Sequence, residues 1–280
     1  LVPKFLTPEH AKDLLLRSHE LLQDFDVKTH PMSVFTTSDK AHVGDEYFLN
    51  SSDNVSFFFE PSALEEKHGR TYLVKPKEQA INKFGHALHL YDSEFEKVTV
   101  KNPKVEEIVK KLGFLLPRAL QSMVICKQPG IGGAVPSHQD GVFLYTNPQS
   151  AVGFWIALED ATIENGCLSY APGSHLTHPI TKRFVRRFDK TTDEELGGTE
   201  FIYLNGHEET IARLPPDEKL KWVTVECKAG DLVLIHNSVL HRSETNRSEK
   251  SRFAYAFHVI EGTAEYDKLN WLQSKVFSTI

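Results

Sequence analysis

Hydrophobic and polar positions alternate most plainly near the end of the chain. Over residues 252–260, Phe253, Tyr255, Phe257 and Val259 fall on one side, and Arg252, Ala254, Ala256 and His258 on the other. Successive side chains of a strand point to opposite faces, so this spacing predicts a strand with one large apolar face and one small or polar face. Shorter apolar and β-branched runs read as strands at 55–59, 122–127, 151–158, 167–171, 222–226 and 232–236, divided by turn dipeptides such as Asn165-Gly166 and Gly230-Asp231.

Helical spacing is confined to the first third. Thr7-Pro8-Glu9 predicts a capped start, followed by Ala11, Leu14, Leu15, Leu21, Leu22 and Phe25. Asn102-Pro103 opens a second helix, with Glu106 and Glu107 early, Lys110-Lys111 late and Gly113 as its stop. Residues 80–89 fit either period. The expectation is one domain over 1–280, with a helical and mixed part over 1–120 and a β core over 121–260. The fold class expected is mainly β with flanking helices, a sandwich or barrel of which the jelly roll is one form. Residues 36–56 and 176–220 are the least readable. The latter looks like a long insertion, with a basic run at 182–187.

Composition narrows the function classes. The chain has 280 residues, a net charge of −6, 40% hydrophobic and 25% charged residues. These values suit a folded domain and argue against nucleic acid as the default partner. No apolar run is long enough for a membrane helix. Cys126, Cys167 and Cys227 form no CxxC pair, which fits a reducing compartment and excludes a thiolate zinc site. The chain begins Leu1-Val2 without Met, so the native N-terminus and any signal it carries are expected to lie outside it. Ser278-Thr279-Ile280 is not a peroxisomal address of the SKL type. Cytosol and peroxisome both remain open as compartments.

The unusual count is fourteen histidines. A His and a carboxylate at i, i+2 on a strand share a face and can chelate one metal. His138-Gln139-Asp140 is the HxD tripeptide, although about one arises by chance at these frequencies. It follows an apolar strand and the glycine-rich turn 129–133. His207-Glu208-Glu209 has polar flanks and reads as a solvated loop. His241 offers a third ligand, and Arg252 opens the last strand shortly after it. Two histidines and one carboxylate leave three positions of an iron octahedron open. A 2-oxo acid can take two and O2 the third. A second, distal carboxylate then needs a cation, which Arg252 supplies as a bidentate fork with the Ser243 hydroxyl beside it. The bland alternative is Arg252 facing solvent at a sheet edge.

At this point the residues resemble a family. His138-Gln139-Asp140, His241 and Arg252 are similar to the iron(II)/2-oxoglutarate dioxygenases, and more closely to the phytanoyl-CoA dioxygenase family, in its domain-containing branch. The supporting strings include Phe57-Phe58-Phe59-Glu60, residues 81–89, Gln121-Ser122-Met123, Trp155-Ile156-Ala157-Leu158-Glu159-Asp160, Glu164-Asn165-Gly166-Cys167-Leu168, Pro172-Gly173-Ser174-His175 and Ala229-Gly230-Asp231. The resemblance implies a double-stranded β-helix with iron held by His138, Asp140 and His241. It also implies a 2-oxoglutarate pocket of Lys83, Met123, Trp155, Ser243 and Arg252, with Gln139 contributing only backbone contacts. The implied cofactors are Fe(II), 2-oxoglutarate and O2, with ascorbate admitted as a reductant. The implied reaction is hydroxylation of a small molecule, for which 2-hydroxylation of a fatty acyl-CoA is the leading candidate. A protein or nucleotide target, a non-catalytic metal-binding jelly roll, and a cupin-type zinc isomerase remain as alternatives. Oligomeric state is not readable.

Other features have bland readings. His86 and His89 form an HxxH spacing without an evident third ligand. His175 reads as turn architecture, and His236 and His258 as hydrogen-bonded core histidines. The run Lys182-Arg183-Phe184-Val185-Arg186-Arg187 reads either as a solvated helix face or as a phosphate site for CoA.

Overall fold

In a computed structural model of the chain, residues 1–34, 46–189, 191–204 and 214–280 are described. His42 and His207 lie outside them. In chain order, the strands are β1 (Val55–Phe59), β2 (Leu64–Lys67), β3 (Arg70–Leu73), β4 (Ile81–His86), β5 (Pro117–Lys127) and β6 (Val135–His138). β7 (Thr146–Asn147), β8 (Val152–Ala157), β9 (Leu168–Tyr170), β10 (Lys182–Phe188), β11 (Glu195–Tyr203) and β12 (Val223–Val225) follow. The last are β13 (Leu232–His236), β14 (His241–Ser243), β15 (Arg252–Glu261), β16 (Glu265–Tyr266) and β17 (Ser278–Thr279).

Two sheets face each other. The major sheet runs β1-β4-β5-β15-β8-β13, with β17 added to β5, and the minor sheet runs β12-β9-β14-β6. This is the jelly roll expected for a mainly β chain. Residues 80–89 resolve mostly into β4, followed by a short helix at Leu88–Tyr91. The two long helices form where their caps predict. Thr7 accepts from the His10 backbone N–H above Pro8–Asp24, and Asn102 accepts from Lys104 above Pro103–Lys111.

β15 sits at the centre of the major sheet, and its alternation divides the core. Phe253, Tyr255, Phe257 and Val259 pack outward with Val124, Phe154, Leu14, Leu22, Phe95 and Val109, beneath the helices. Ala254 and Ala256 join Met123, Trp155, Val233 and Ile235 between the sheets. Directly opposed residues in an antiparallel pair share a face, so the register defines rows across the inner floor. One row is Lys127 and Arg252, and the next is Lys83, Ile125, Ala254 and Ala157. The third is Gly85, Met123, Ala256, Trp155 and Val233, and the fourth is Gln121, His258, Gly153 and Ile235. Ala256 in the third row and Gly153 in the fourth line the hollow in which the site lies.

The basic run at 182–187 is not a helix. It is strand β10, paired with β11. Arg183 is buried, and donates to Asp267 at 2.8 Å and to Asn270 at 3.0 Å. Arg186 donates to Glu195 and to the Leu49 and Trp271 carbonyls. Burial on a hairpin consumed these charges through partners far away in sequence. His236 is likewise not a core histidine, being exposed with its ring 5.2 Å from His175.

The outer face of β15 is the keystone of the helix–sheet core. Phe257 stacks on Phe154 with ring centroids 4.7 Å apart. Phe257→Ala is expected to cost about 3–5 kcal/mol, read as a lower urea midpoint at unchanged slope. A loss under about 1 kcal/mol would contradict this packing.

Candidate active site

His138 ends β6, and His241 begins β14 directly opposite it. Gln139 stays extended at φ −121°, ψ 131° before Asp140 starts a one-turn helix, Asp140–Phe143. The i, i+2 geometry therefore holds although Asp140 lies just beyond the strand. The two histidine rings lie 4.2 Å apart between centroids. Asp140 Oδ1 is 3.7 Å from His138 Nε2 and 3.5 Å from His241 Nε2. All three ligand atoms lie within 4.8 Å of one another.

Each histidine is locked in one tautomer by its own chain. His138 Nδ1 is 2.9 Å from the Pro136 carbonyl, and His241 Nδ1 is 3.1 Å from the Val239 carbonyl. A carbonyl only accepts, so Nδ1 carries the proton and Nε2 presents a lone pair to the site. Burial, with His241 nearby, lowers the His138 pKa to about 4, which keeps the imidazole neutral. Burial alone would raise the Asp140 pKa, but His241 and His258 outweigh it and hold the carboxyl well below its usual range.

His258 Nε2 lies 3.2 Å from Asp140 Oδ2, and Gln121 Nε2 donates to His258 Nδ1 at 3.3 Å. That donation leaves His258 with its proton on Nε2, facing the carboxylate. The approach is not an aligned hydrogen bond, and Asp140 Oδ2 has no hydrogen-bond partner among the described residues. Gly153 makes the approach possible. A Cβ there would stand 3.1 Å from Asp140 Oδ2 and 3.3 Å from His258 Nε2. Sequence reasoning placed His258 in the core and missed its role, as it missed Gln121 and Gly153.

The donor set fits a divalent cation. The Nε2 atoms of two imidazoles and Oδ1 of a buried carboxylate converge within 4.8 Å of one another. Imidazole and carboxylate without thiolate suit iron and leave coordination positions free for oxygen ligands.

The ligands open into a cavity of about 150 Å3. Lys83, Met123, Trp155, Ser243 and Arg252 all line it, and Gln139 does not. The Gln139 side chain instead donates to the His178 and Ser238 carbonyls, both at 2.7 Å. Arg252 is 1% exposed, and its Nε and Nη1 have no hydrogen-bond partner among the described residues. Its guanidinium lies 5.2 Å from the centre of the Trp155 ring. Burial lowers its pKa to about 10. Burial lowers the Lys83 and Lys127 pKa values to about 7, with Glu60 opposing the shift at both. Glu60 is itself raised by burial, against hydrogen bonds from Asn82 and the Gly133 N–H. Lys83, Lys127, Arg252 and Glu60 thus line the cavity together.

His86 and His89 form no metal pair. His86 is hydrogen-bonded to Ser51 at 2.8 Å and His89 to Ser122 at 2.7 Å. His175 stands on the one-turn helix Ser174–Thr177 and is exposed.

The sequence profile described as "Phytanoyl-CoA dioxygenase (PhyH)" matches residues 1–254. The chain belongs to the phytanoyl-CoA dioxygenase family. It is an iron(II)- and 2-oxoglutarate-dependent dioxygenase. It is similar to the phytanoyl-CoA dioxygenase domain-containing protein 1 of Danio rerio, with 44% identity over 96% of this chain and 88% of that protein. The homolog in Caenorhabditis briggsae is 45% identical over 91% of this chain and 84% of that protein. A protein named phytanoyl-CoA dioxygenase in Arabidopsis thaliana is 39% identical over 98% of this chain and 88% of its own length. Among solved structures, the alpha-ketoglutarate-dependent carbocyclase SnoK of nogalamycin biosynthesis has TM-score 0.62 at 18% identity, covering 100% of this chain and 90% of that one. EctD from S. alaskensis with bound Fe has TM-score 0.56 at 15% identity, covering 97% and 75%. These two likenesses show the fold that this family member shares.

His258→Leu keeps all three candidate ligands and removes the neighbour of Asp140 Oδ2. It is expected to weaken Fe(II) affinity about 10–100-fold by anaerobic titration, whereas Asp140→Ala abolishes binding. Wild-type affinity in a folded His258→Leu protein would contradict the positioning role.

Proposed function

We propose that this family member hydroxylates a small organic substrate at a C–H bond, with His138, Asp140 and His241 holding iron and Arg252 anchoring 2-oxoglutarate. The observation that carries this reading is the fully buried, incompletely partnered Arg252 guanidinium in the cavity that the ligand atoms share. A protein interior does not keep such a charge without a use for it.

Bound iron with 2-oxoglutarate and O2 supplies the oxidation: one oxygen atom enters the substrate, the other enters succinate, and CO2 leaves. The chain's own residues do the rest. Arg252 and Ser243 orient the distal carboxylate, and Lys83 adds charge to the same pocket. Met123, Ile125 and Trp155 form the dry floor between that carboxylate and the metal. Phe48, Phe143, Phe184 and Trp271 line the remaining wall and favour an apolar substrate segment.

An acyl-CoA is the leading substrate class, supported by the family and by the name of the Arabidopsis relative. The hairpin arginines Arg183 and Arg186 are occupied by protein partners and are not free for CoA phosphates. A vestigial, non-catalytic site is disfavoured because all three ligands and the anion clamp stand together. A zinc isomerase has no need of that clamp. Among the described residues no helix is long and apolar enough to cross a membrane.

With Fe(II), 2-oxoglutarate and O2, the protein is expected to form succinate in proportion to an added acyl-CoA, branched or straight, and to yield the 2-hydroxyacyl product by mass spectrometry. Arg252→Met is expected to raise the KM for 2-oxoglutarate about 100-fold or more. No substrate-dependent succinate with any acyl-CoA or fatty acid would exclude the acyl-CoA assignment.

A further inference from the structure

Lys127 has no assigned role, yet it is 2% exposed and stands beside Arg252, its direct cross-strand partner. Its ammonium spends three donors on three oxygens. It donates to the Gly133 carbonyl at 2.9 Å, the Glu244 carbonyl at 2.6 Å and the Ser243 hydroxyl at 3.0 Å. Gly133 precedes β6, which carries His138, and Ser243 lies in β14, which carries His241. One side chain therefore ties the major sheet to both histidine-bearing strands of the minor sheet.

Two details argue for more than architecture. A lysine ammonium only donates, so the Ser243 oxygen accepts from it, and the Ser243 proton is left to point at another acceptor. In addition, Lys127 donates to two carbonyls and a hydroxyl rather than to a carboxylate, while Arg252 adds repulsion. An apolar side chain would fill the same space without the cost of burying a charge. The charge is retained where Ser243 and Arg252 meet in one cavity.

We propose that Lys127 is a positioning residue for the cosubstrate, turning the Ser243 hydroxyl into a donor toward the distal carboxylate and tuning the pocket to dicarboxylic 2-oxo acids. This rests on the 2-oxoglutarate reading above. Lys127 holds the serine, and the serine and Arg252 hold the distal carboxylate, which an acid with a single carboxylate lacks.

The test is calorimetric titration of the anaerobic Fe(II)-loaded protein with 2-oxoglutarate and with 2-oxovalerate, which lacks the distal carboxylate. K127M is expected to weaken 2-oxoglutarate binding by about tenfold or more and to leave 2-oxovalerate within about twofold. S243A is expected to weaken 2-oxoglutarate in the wild type but to add less than about twofold in K127M. Partial recovery in K127R would support the charge component. Equal weakening of both acids, or fully multiplicative K127M and S243A effects, would reduce Lys127 to a structural tie and overturn the proposal. Should K127M not fold, K127Q carries the same comparison, and full retention of selectivity in it overturns the proposal. Wild type that binds neither acid refutes the 2-oxoglutarate reading itself. Wild type that prefers 2-oxoglutarate alongside an unaltered K127M refutes the Lys127 role alone.

Discussion

Burying a guanidinium without a matching carboxylate is the constraint around which this site is arranged. Arg252 is nearly inaccessible, and two of its nitrogens lack hydrogen-bond partners among the described residues. Its position follows from strand alternation. The alternation that sends Phe253, Tyr255, Phe257 and Val259 of β15 into the helix-covered core sends Arg252 and His258 to the opposite face, between the sheets. The aromatic face secures the strand, and that security holds the charge in a place it would otherwise leave. The ends of this inner face are about 20 Å apart along the strand, one serving the anion pocket and the other the metal ligands.

The middle of that face is small. Ala256, with Gly153 on the neighbouring strand, lines the hollow that larger residues would fill. The two ends are then supported by different physics. At the metal end, carbonyls fix the histidine tautomers and the Gln121–His258 pair stands behind the carboxylate. At the other end, Lys83, Lys127 and Arg252 line the cavity with Glu60.

Much of this was legible in the sequence, because it depends on local spacing. The alternation over 252–260, the caps at Thr7 and Asn102, and the HxD tripeptide all act within a few residues. The resemblance to a family added Lys83, Met123 and Trp155 to a set in which His241, Ser243 and Arg252 already stood as candidates. What escaped was set by register between distant strands. Gln121, Gly153 and His258 form one row only because β5, β15 and β8 pair as they do. Lys127 looked like the polar end of a strand, and its neighbour Ser243 lies more than a hundred positions away. The basic run misled for the same reason: Asp267 and Asn270, which bury Arg183, are invisible to local reading.

The central claim is that one cavity binds iron through His138, Asp140 and His241 and 2-oxoglutarate through Arg252. Its most direct test is an anaerobic titration of the protein with Fe(II) and then 2-oxoglutarate, following the visible metal-to-ligand charge-transfer band. The account predicts a saturable band in the wild type, none in Asp140→Ala, and a band in Arg252→Met that forms only at far higher 2-oxoglutarate. No band in the wild type, or one in Arg252→Met at the wild-type concentration, would contradict it.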